Sequence, residues 1–318
     1  MKTSERGTAL LSVLLIVAVM AAIAATALDR LSLSTRLAGN AGVAMQGRQW
    51  LVMAEQLAQA RLVDAASLTG AQQAQVLGVE RSIELPDGQT VTARIEDGSN
   101  CFNVNSLVRQ RRDGTLRATA RRVFQFRDFL QLIGLPESRA QQLADAAGDA
   151  LDSNDNPRPL GSERMADGSL VPNRAVASPD ELAGIEGMDV ATWEIVRPWL
   201  CALPSHEANS VNVETLRPEQ AALLAMLAPE QISLSAARAQ IASRPRAGFG
   251  SVVDFWNTGP LSGVDLPRQR SQQVTVETGT FRLITRVGEG DSELQQVSLF
   301  TVENGVAQLH ARRWAEAL

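Results

Sequence analysis

The stretch TALLSVLLIVAVMAAIAATAL, Thr8 to Leu28, decides how the rest of the chain is read. It runs 21 residues without a charge, follows the short polar leader Met1 to Gly7, and ends at Asp29 and Arg30. As an α-helix it is roughly 32 Å long, the thickness of a bilayer's hydrocarbon core. Three readings fit such a segment. Lys2 and Arg6 provide the basic start of a secretory signal, with Ala22-Ile23-Ala24 or Ala25-Thr26-Ala27 as a small-residue cleavage site. A plain N-terminal anchor is the second reading. The third is a leader cut on the cytoplasmic side after Gly7, which leaves the apolar helix on the mature chain.

The residues that follow favour retention. A cleaved signal gives way to an unrelated mature start, whereas helix-compatible sequence continues here past the apolar run. Leu31, Leu37, Val43, Ala44, Leu51, Ala54, Leu57, Ala58 and Leu62 recur at spacings of three, four and seven among Arg36, Arg48, Glu55 and Arg61. One helix is predicted from residue 8 to about 66, with Gly39, Gly42 and Gly47 as places where it is weakened.

At 318 residues and 45% hydrophobic content the chain is long enough for more than one core. Its formal charge is −5, and loss of Met1 to Gly7 removes Lys2, Arg6 and Glu5 and leaves it one unit more negative. That balance disfavours nucleic acid as a partner. The basic stretch Arg109, Arg111, Arg112, Arg117, Arg121, Arg122 contains Asp113 and no interleaved aromatics, and reads as solvated surface. The two cysteines, Cys101 and Cys201, read as a disulfide if the chain folds outside the cytoplasm and as buried thiols otherwise; placement beside segment boundaries favours the bridge.

Strands are predicted at Arg81 to Leu85 and Thr90 to Glu96, joined through Pro86-Asp87-Gly88. From about Asn103 to Arg270 the pattern becomes short helices separated by Pro and Gly. Val123, Phe126, Phe129, Leu130 and Ile133 form one apolar face, and Leu143, Ala146, Ala147, Ala150 and Leu151 another. Further helices are expected at Pro179 to Leu182, Ala191 to Leu200, Pro218 to Leu227, Ser235 to Ala242 and Val252 to Trp256, with Asn105, Ser178, Thr192 and Ser251 as N-caps. Four strands then follow: Val274 to Glu277, Phe281 to Val287, Gln296 to Val302 and Val306 to Arg312, with turns at Gly279, Gly288, Gly290 and Asn304-Gly305. The fold class is therefore α+β: a long N-terminal helix and an antiparallel sheet, interrupted by a large helical insertion.

Inside the insertion, Phe102-Asn103-Val104-Asn105-Ser106-Leu107 is echoed by Val211-Asn212-Val213-Glu214-Thr215-Leu216. With Gly184-Ile185-Glu186-Gly187-Met188 this repeat is similar to helix-hairpin-helix modules, which present backbone amides to DNA phosphates. Net negative charge, Glu186 and the export segment weigh against DNA, and the repeat reads as structural. Asp149, Asp152, Asn154 and Asp155, followed by Glu163, place oxygen ligands on a loop flanked by Pro157, Pro159 and Gly161. Such a set suits a hard cation, or equally an acidic turn; its spacing is not that of an EF-hand. Enzymatic signatures are absent. Neither His206 nor His310 lies in a zinc motif, there is no G-x-S-x-G or GK[ST] element, and Gly248-Phe249-Gly250 is a lone glycine pair. An exported hydrolase with an uncommon site is the residual enzymatic reading.

Five segments resemble the general secretion pathway protein K family, the large minor pseudopilin of type II secretion systems. They are Arg6-Gly7-Thr8-Ala9-Leu10-Leu11, Cys101-Phe102-Asn103-Val104-Asn105-Ser106-Leu107, Asp149-Ala150-Leu151-Asp152-Ser153-Asn154, Pro198-Trp199-Leu200-Cys201-Ala202-Leu203-Pro204 and Val211-Asn212-Val213-Glu214-Thr215-Leu216. The resemblance implies a pilin-like fold and no enzymatic activity. It implies a leader at 1–7 removed by a prepilin peptidase between Gly7 and Thr8, with N-methylation of Thr8, and an assembly helix at 8–28 in inner-membrane lipid. A first pilin-like part covers 29–102, an inserted helical domain 103–272, and the closing strands 273–318, with the globular part in the periplasm.

Most pilins carry a glutamate at the fifth mature position. Here that position is Ser12, a substitution typical of the K subunit, which is placed at the fibre tip with the I and J minor pseudopilins as partners. A carboxylate without a partner in lipid is costly, so a tip subunit does well to omit it. The family also implies one or two calcium ions at the acidic segment. Asn154 stands where the family usually has Asp, and Arg164 follows Glu163 where it has an acid, which points to weaker binding or the loss of one ion.

Overall fold

The computed structural model describes residues 4–85, 88–288 and 293–316, without the side chains of 4–9, 12, 269 and 315–316. Helix α1 spans Ser4–Ala66. It passes through Gly39 and Gly42 without a break, in open space. Among the described residues nothing packs against its apolar part: Leu11 is 70% exposed and Val19 50%. Further on, Leu51, Ala54, Ala58, Leu62 and Ala65 are buried, at the three- and four-residue spacing of one helix face.

In chain order there follow α2 (Gly70–Val76), β1 (Glu80–Glu84) and β2 (Thr90–Asp97). A long excursion holds β3 (Phe102–Asn103), β4 (Val108–Gln110), β5 (Leu116–Ala118), α3 (Ala120–Leu132), α4 (Glu137–Leu151), α5 (Val190–Val196), β6 (Leu200–Cys201), β7 (Val211–Asn212), α6 (Ala221–Ala225), α7 (Leu234–Ala242), α8 (Val252–Asn257), α9 (Arg268–Ser271) and β8 (Val274–Thr275). The chain returns through β9 (Thr280–Val287), β10 (Leu294–Glu303) and β11 (Val306–Glu316).

The sheet has the order β1-β2-β9-β10-β11 and is antiparallel throughout. Everything from residue 98 to 279 is thus inserted between two paired strands. Of the expected turns, Pro86, Asp87 and Gly290 lie outside the described residues, whereas Asn304 and Gly305 take positive φ, 51° and 76°, as a tight hairpin between β10 and β11 requires. The strand expected at Val274 to Glu277 does not join this sheet. It is the two-residue β8, paired in parallel with β7; an apolar run this short is claimed by whichever neighbour the topology provides.

One sheet face packs on α1. Ala58, Leu62 and Ala65 meet Phe281, Leu283 and Phe300, while Leu51 and Ala54 meet Leu85, Val91 and Val287. Gly47 lets α1 approach β10, because a Cβ there would lie 2.7 Å from Leu294 Cδ1. Strand β11 carries a bulge. Leu299 pairs with Ala311 and Phe300 with Leu309, so His310 is the extra residue. A one-residue offset exchanges the two faces of everything beyond it. As a result Arg312 and Trp314, opposite Ser298 and Gln296, face α1, and Ala311 and Arg313 face the insertion.

The two echoed segments adopt the same construction. β3 pairs in parallel with β6, and β7 with β8. Asn103 Oδ1 accepts from the amide of Asn105 (3.2 Å), and Asn212 Oδ1 from that of Glu214 (3.0 Å). Two residues on, the side chain of each segment turns inward: Asn105 bonds Val176 and the carbonyl of Leu203, and Glu214 accepts from Phe249 N (2.6 Å) and Gly250 N (3.1 Å). The first cap is therefore Asn103 rather than Asn105, since the asparagine that still has extended φ/ψ is the one positioned to reach forward. Likewise Asp189, not Thr192, caps α5, and Ser178 and Ser251 cap as expected. Pro198 shortens the helix predicted to reach Leu200: α5 stops at Val196 and a 3₁₀ turn covers Arg197–Trp199. Cys101 and Cys201 are bonded, with Cα atoms 5.8 Å apart, at the two ends of the first repeat.

Candidate functional site

Two places collect groups that helix and sheet formation alone do not require. The first is the acidic loop after α4. Asp145, Asp149 and Asp152 follow at intervals of four and three, so they share one face of the helix end, and all three are buried. The chain after Asp152 folds back over them. Arg158 donates its amide to both Asp149 oxygens (3.2 and 3.0 Å) and its Nε to Asp145 Oδ1 (3.0 Å), and Leu160 N reaches Asp145 Oδ2 (3.3 Å). Gly161 is needed for this closure, because a Cβ there would lie 1.9 Å from Asp149 Oδ2. Asp152 Oδ1 accepts from Asn154 N (3.2 Å) and Nδ2 (2.6 Å), while Asn154 Oδ1 accepts from Asn156 N (3.0 Å).

Glu163 arrives from the far side of the loop with both carboxyl oxygens buried and without a hydrogen-bond partner. Burial and the neighbouring charges of Asp149, Asp152 and Asp155 push its pKa up to about 7. Burial, reinforced by Asp152, pushes Asp149 up to about 6, and burial raises Asp152 also. An excess of negative oxygen with an orphaned carboxylate is what a bound cation relieves.

Nothing in the sequence around Asn173 marks it out. Its left-handed φ of 50° aims it at the same place, where its amide nitrogen reaches the main-chain carbonyls of Asp149 (3.2 Å) and Asp152 (3.1 Å). Of the expected set, Asp149 and Asp152 are gathered at the helix end, Asn154 is half-buried and engaged in the turn, and Asp155 is exposed. Among the described residues no three His, Cys, Asp or Glu side chains are gathered to hold a metal by themselves. Main-chain and amide oxygens would have to complete a shell, as calcium commonly uses.

The second place is on α1. Glu55 is 1% exposed and accepts from Gln296 Nε2 (2.6 Å), from Ser298 Oγ, and from Arg312 through Nε (3.0 Å) and Nη2. The bulge at His310 brings Arg312 onto this face, and it does the same for Trp314, whose ring lies 5.7 Å below the Arg48 guanidinium. The amphipathic half of α1 is thereby locked to the sheet, leaving the apolar half projecting. That half is long and apolar enough to cross a membrane. Gly7 and Thr8 lie near its start in α1; the side chains of Thr8 and Ser12 are outside the described residues.

The chain matches the family described as "Type II secretion system (T2SS), protein K" over residues 100–205 and again over 211–277, the two repeats of the insertion. It is similar to proteins named "Type II secretion system protein K". The one from Klebsiella pneumoniae is 31% identical, covering 99% of this chain and 98% of that protein. The one from Aeromonas hydrophila is 31% identical, covering 96% of each, and the one from Pectobacterium carotovorum is 29% identical over 99% and 98%. Its fold matches a chain of the crystal structure of the GspK-GspI-GspJ complex from the enterotoxigenic Escherichia coli type 2 secretion system. The TM-score is 0.68 at 22% identity, covering 85% of this chain and 97% of that one. Two matched repeats and near full-length relatives lead to one conclusion: the chain belongs to the protein K family of the type II secretion system.

Proposed function

We propose that the chain is a minor pseudopilin that sits at the tip of a type II secretion fibre, inserted in the inner membrane by α1 with its globular part in the periplasm. A prepilin peptidase cuts after Gly7, and Thr8 becomes the methylated first residue. The I and J minor pseudopilins pack along α1, and the role is structural rather than catalytic. The observation that carries this reading is α1 itself: one continuous helix whose second half is bolted to a sheet and whose first half has no cover among the described residues. Copurification tests it. A tagged mature chain extracted from membranes is expected to bring down the I and J proteins of its own system as one complex; recovery of the chain alone contradicts the reading.

We further propose that Asp149, Asp152, Asn154, Asp155 and Glu163 hold calcium, with Asn173 nearby. In the calcium-free chain, Asp149 and Glu163 are held above the usual carboxylate range, so the folded state binds more protons than the unfolded one. The contribution of this cluster to stability therefore falls as pH rises from about 4 through about 7. Calcium competes with those protons and reverses the trend. Calcium at millimolar concentration is expected to raise the melting temperature relative to chelator, by more at about pH 7.5 than at about pH 5.5. Melting curves that do not separate at either pH count against the site, and Glu163→Gln should remove most of the difference.

A further inference from the structure

The β4–β5 hairpin has little to hold it by itself. Its ladder runs from Val108 opposite Ala118 to Gln110 opposite Leu116, and Thr119 N donates to the carbonyl of Leu107 (2.9 Å) at its base. A two-stranded ribbon of that length is marginal in water and takes its order from what it leans on. One support is apolar: Val108 is buried, and Leu116 and Ala118 pack on the insertion core. The other support is the acidic loop.

The residues that leave α4 occupy the outer edge of β5, where a third strand would lie. Ser153 N donates to the carbonyl of Leu116 (2.9 Å), and Leu116 N donates back to Ser153 Oγ (2.9 Å). The Ala118 amide donates to the Asp152 carboxylate, which also attracts the Arg117 guanidinium. The helix end, β5 and the returning loop meet at Gly148, where a Cβ would lie 3.2 Å from Arg158 Cδ and 3.6 Å from Ala118 Cβ. These contacts all pass through residues 148–153, the stretch that carries Asp149 and Asp152.

Both of those carboxylates are buried, in company with Asp145 and the unpartnered oxygens of Glu163. Like charges gathered in a buried loop repel and work to spread it. Spreading the loop draws Asp152 and Ser153 off β5, so the hold on the hairpin is only as firm as the cluster is neutral.

We propose that a cation in the acidic loop controls the order of the β4–β5 hairpin: residues 108–118 are held against the insertion when the loop is loaded and open locally when it is empty. This rests on the calcium reading above and extends it, by giving the loop a second element to govern. The turn from Arg111 to Thr115 is exposed, so the loaded and empty chains present different outer surfaces. Such coupling is reciprocal: whatever loosens the hold on β5 must weaken cation binding by the same factor.

The test is hydrogen exchange, read by mass spectrometry on the full chain in neutral detergent micelles with millimolar calcium or with chelator. Calorimetric titration of calcium into the same preparation reports binding. Peptides covering 108–118 are expected to exchange at least about tenfold more slowly with calcium, while those covering β1 and β2 are unchanged. Ser153→Ala removes the acceptor for Leu116 N, and should narrow that difference and weaken calcium binding by a similar factor. Calcium binding with no change in 108–118 overturns the proposal and leaves the calcium reading standing, whereas absence of binding overturns both. Equal slowing of β1 and β2 marks general stabilisation in place of control of the hairpin, and overturns it too. So does a Ser153→Ala chain that binds calcium and protects 108–118 as the parent does.

Discussion

Replacing Glu55 by alanine is expected to destabilise the chain by about 3 kcal/mol and to loosen α1 from the sheet, since removing one partner of a buried ion pair strands the others. Three side chains from β10 and β11 converge on this carboxylate, and Gln296 and Ser298 have no water to turn to, being fully buried. Arg312 is 34% exposed and recovers some hydration, which places the loss at the lower end of the range for such pairs. Glu55→Gln keeps the shape and part of the hydrogen bonding and should cost less. Thermal melts of the full chain in micelles, with Arg312→Ala and the double variant completing the cycle, measure the coupling. A Glu55→Ala chain as stable as the parent would show that the lock is ornamental and that apolar packing alone seats the helix. The functional consequence is mechanical. Any force applied to the apolar end of α1 reaches the globular part through this contact and the Leu51 to Ala65 stripe.

Cys201→Ser is expected to destabilise the first repeat by about 2 to 4 kcal/mol, approaching the limit that chain-entropy reasoning sets for a loop of this size. The bond joins residues 100 apart in sequence, and the two-residue pairing of β3 with β6 is a weak closure by itself. Asn103 and Asn209 share the work, through Leu203 N (3.0 Å) and the carbonyl of Cys101 (2.8 Å), so the serine variant should still fold. Denaturant unfolding with and without reductant checks this: the parent should lose stability on reduction, and the variant should be insensitive to it. The second repeat carries no bridge. In place of the bond, Glu214 ties its start to Phe249 and Gly250, and Gly248 must remain glycine because a Cβ would lie 2.7 Å from that carboxylate.

Much of this architecture is legible in the sequence because it follows from periodicity. The uncharged run from Thr8, the alternation of Val91, Ala93 and Ile95, and the change to short Pro- and Gly-punctuated helices each reflect local physics, and β segments flanking a helical block imply an insertion. The two Asn-containing segments announce a repeat because the same turn needs the same forward-reaching side chain. Glu55 does not stand out as a lock in the sequence reading, although its position holds the signal: it lies four residues after Leu51 and three before Ala58, inside the buried stripe, where a charge demands a partner. The bulge at His310 and the role of Asn173 have no local signature. A bulge is defined by its neighbouring strand, and Asn173 reaches the acidic loop only after more than twenty residues have folded back. Of the set proposed for calcium, Asp149 lies within α4 and not on the loop expected from the sequence; the isolation of the Glu163 oxygens is a property of burial, which only the folded chain reveals.

The proposed role at a fibre tip requires α1 to stay with the protein as the element by which it enters a filament. The most direct measurement is the intact mass of the chain within the copurified I and J complex. A mass corresponding to a start at Thr8, with one added methyl group, is the result expected. A mass corresponding to a start near Asp29 would mean that the apolar helix had been discarded as a signal peptide, and would contradict the account.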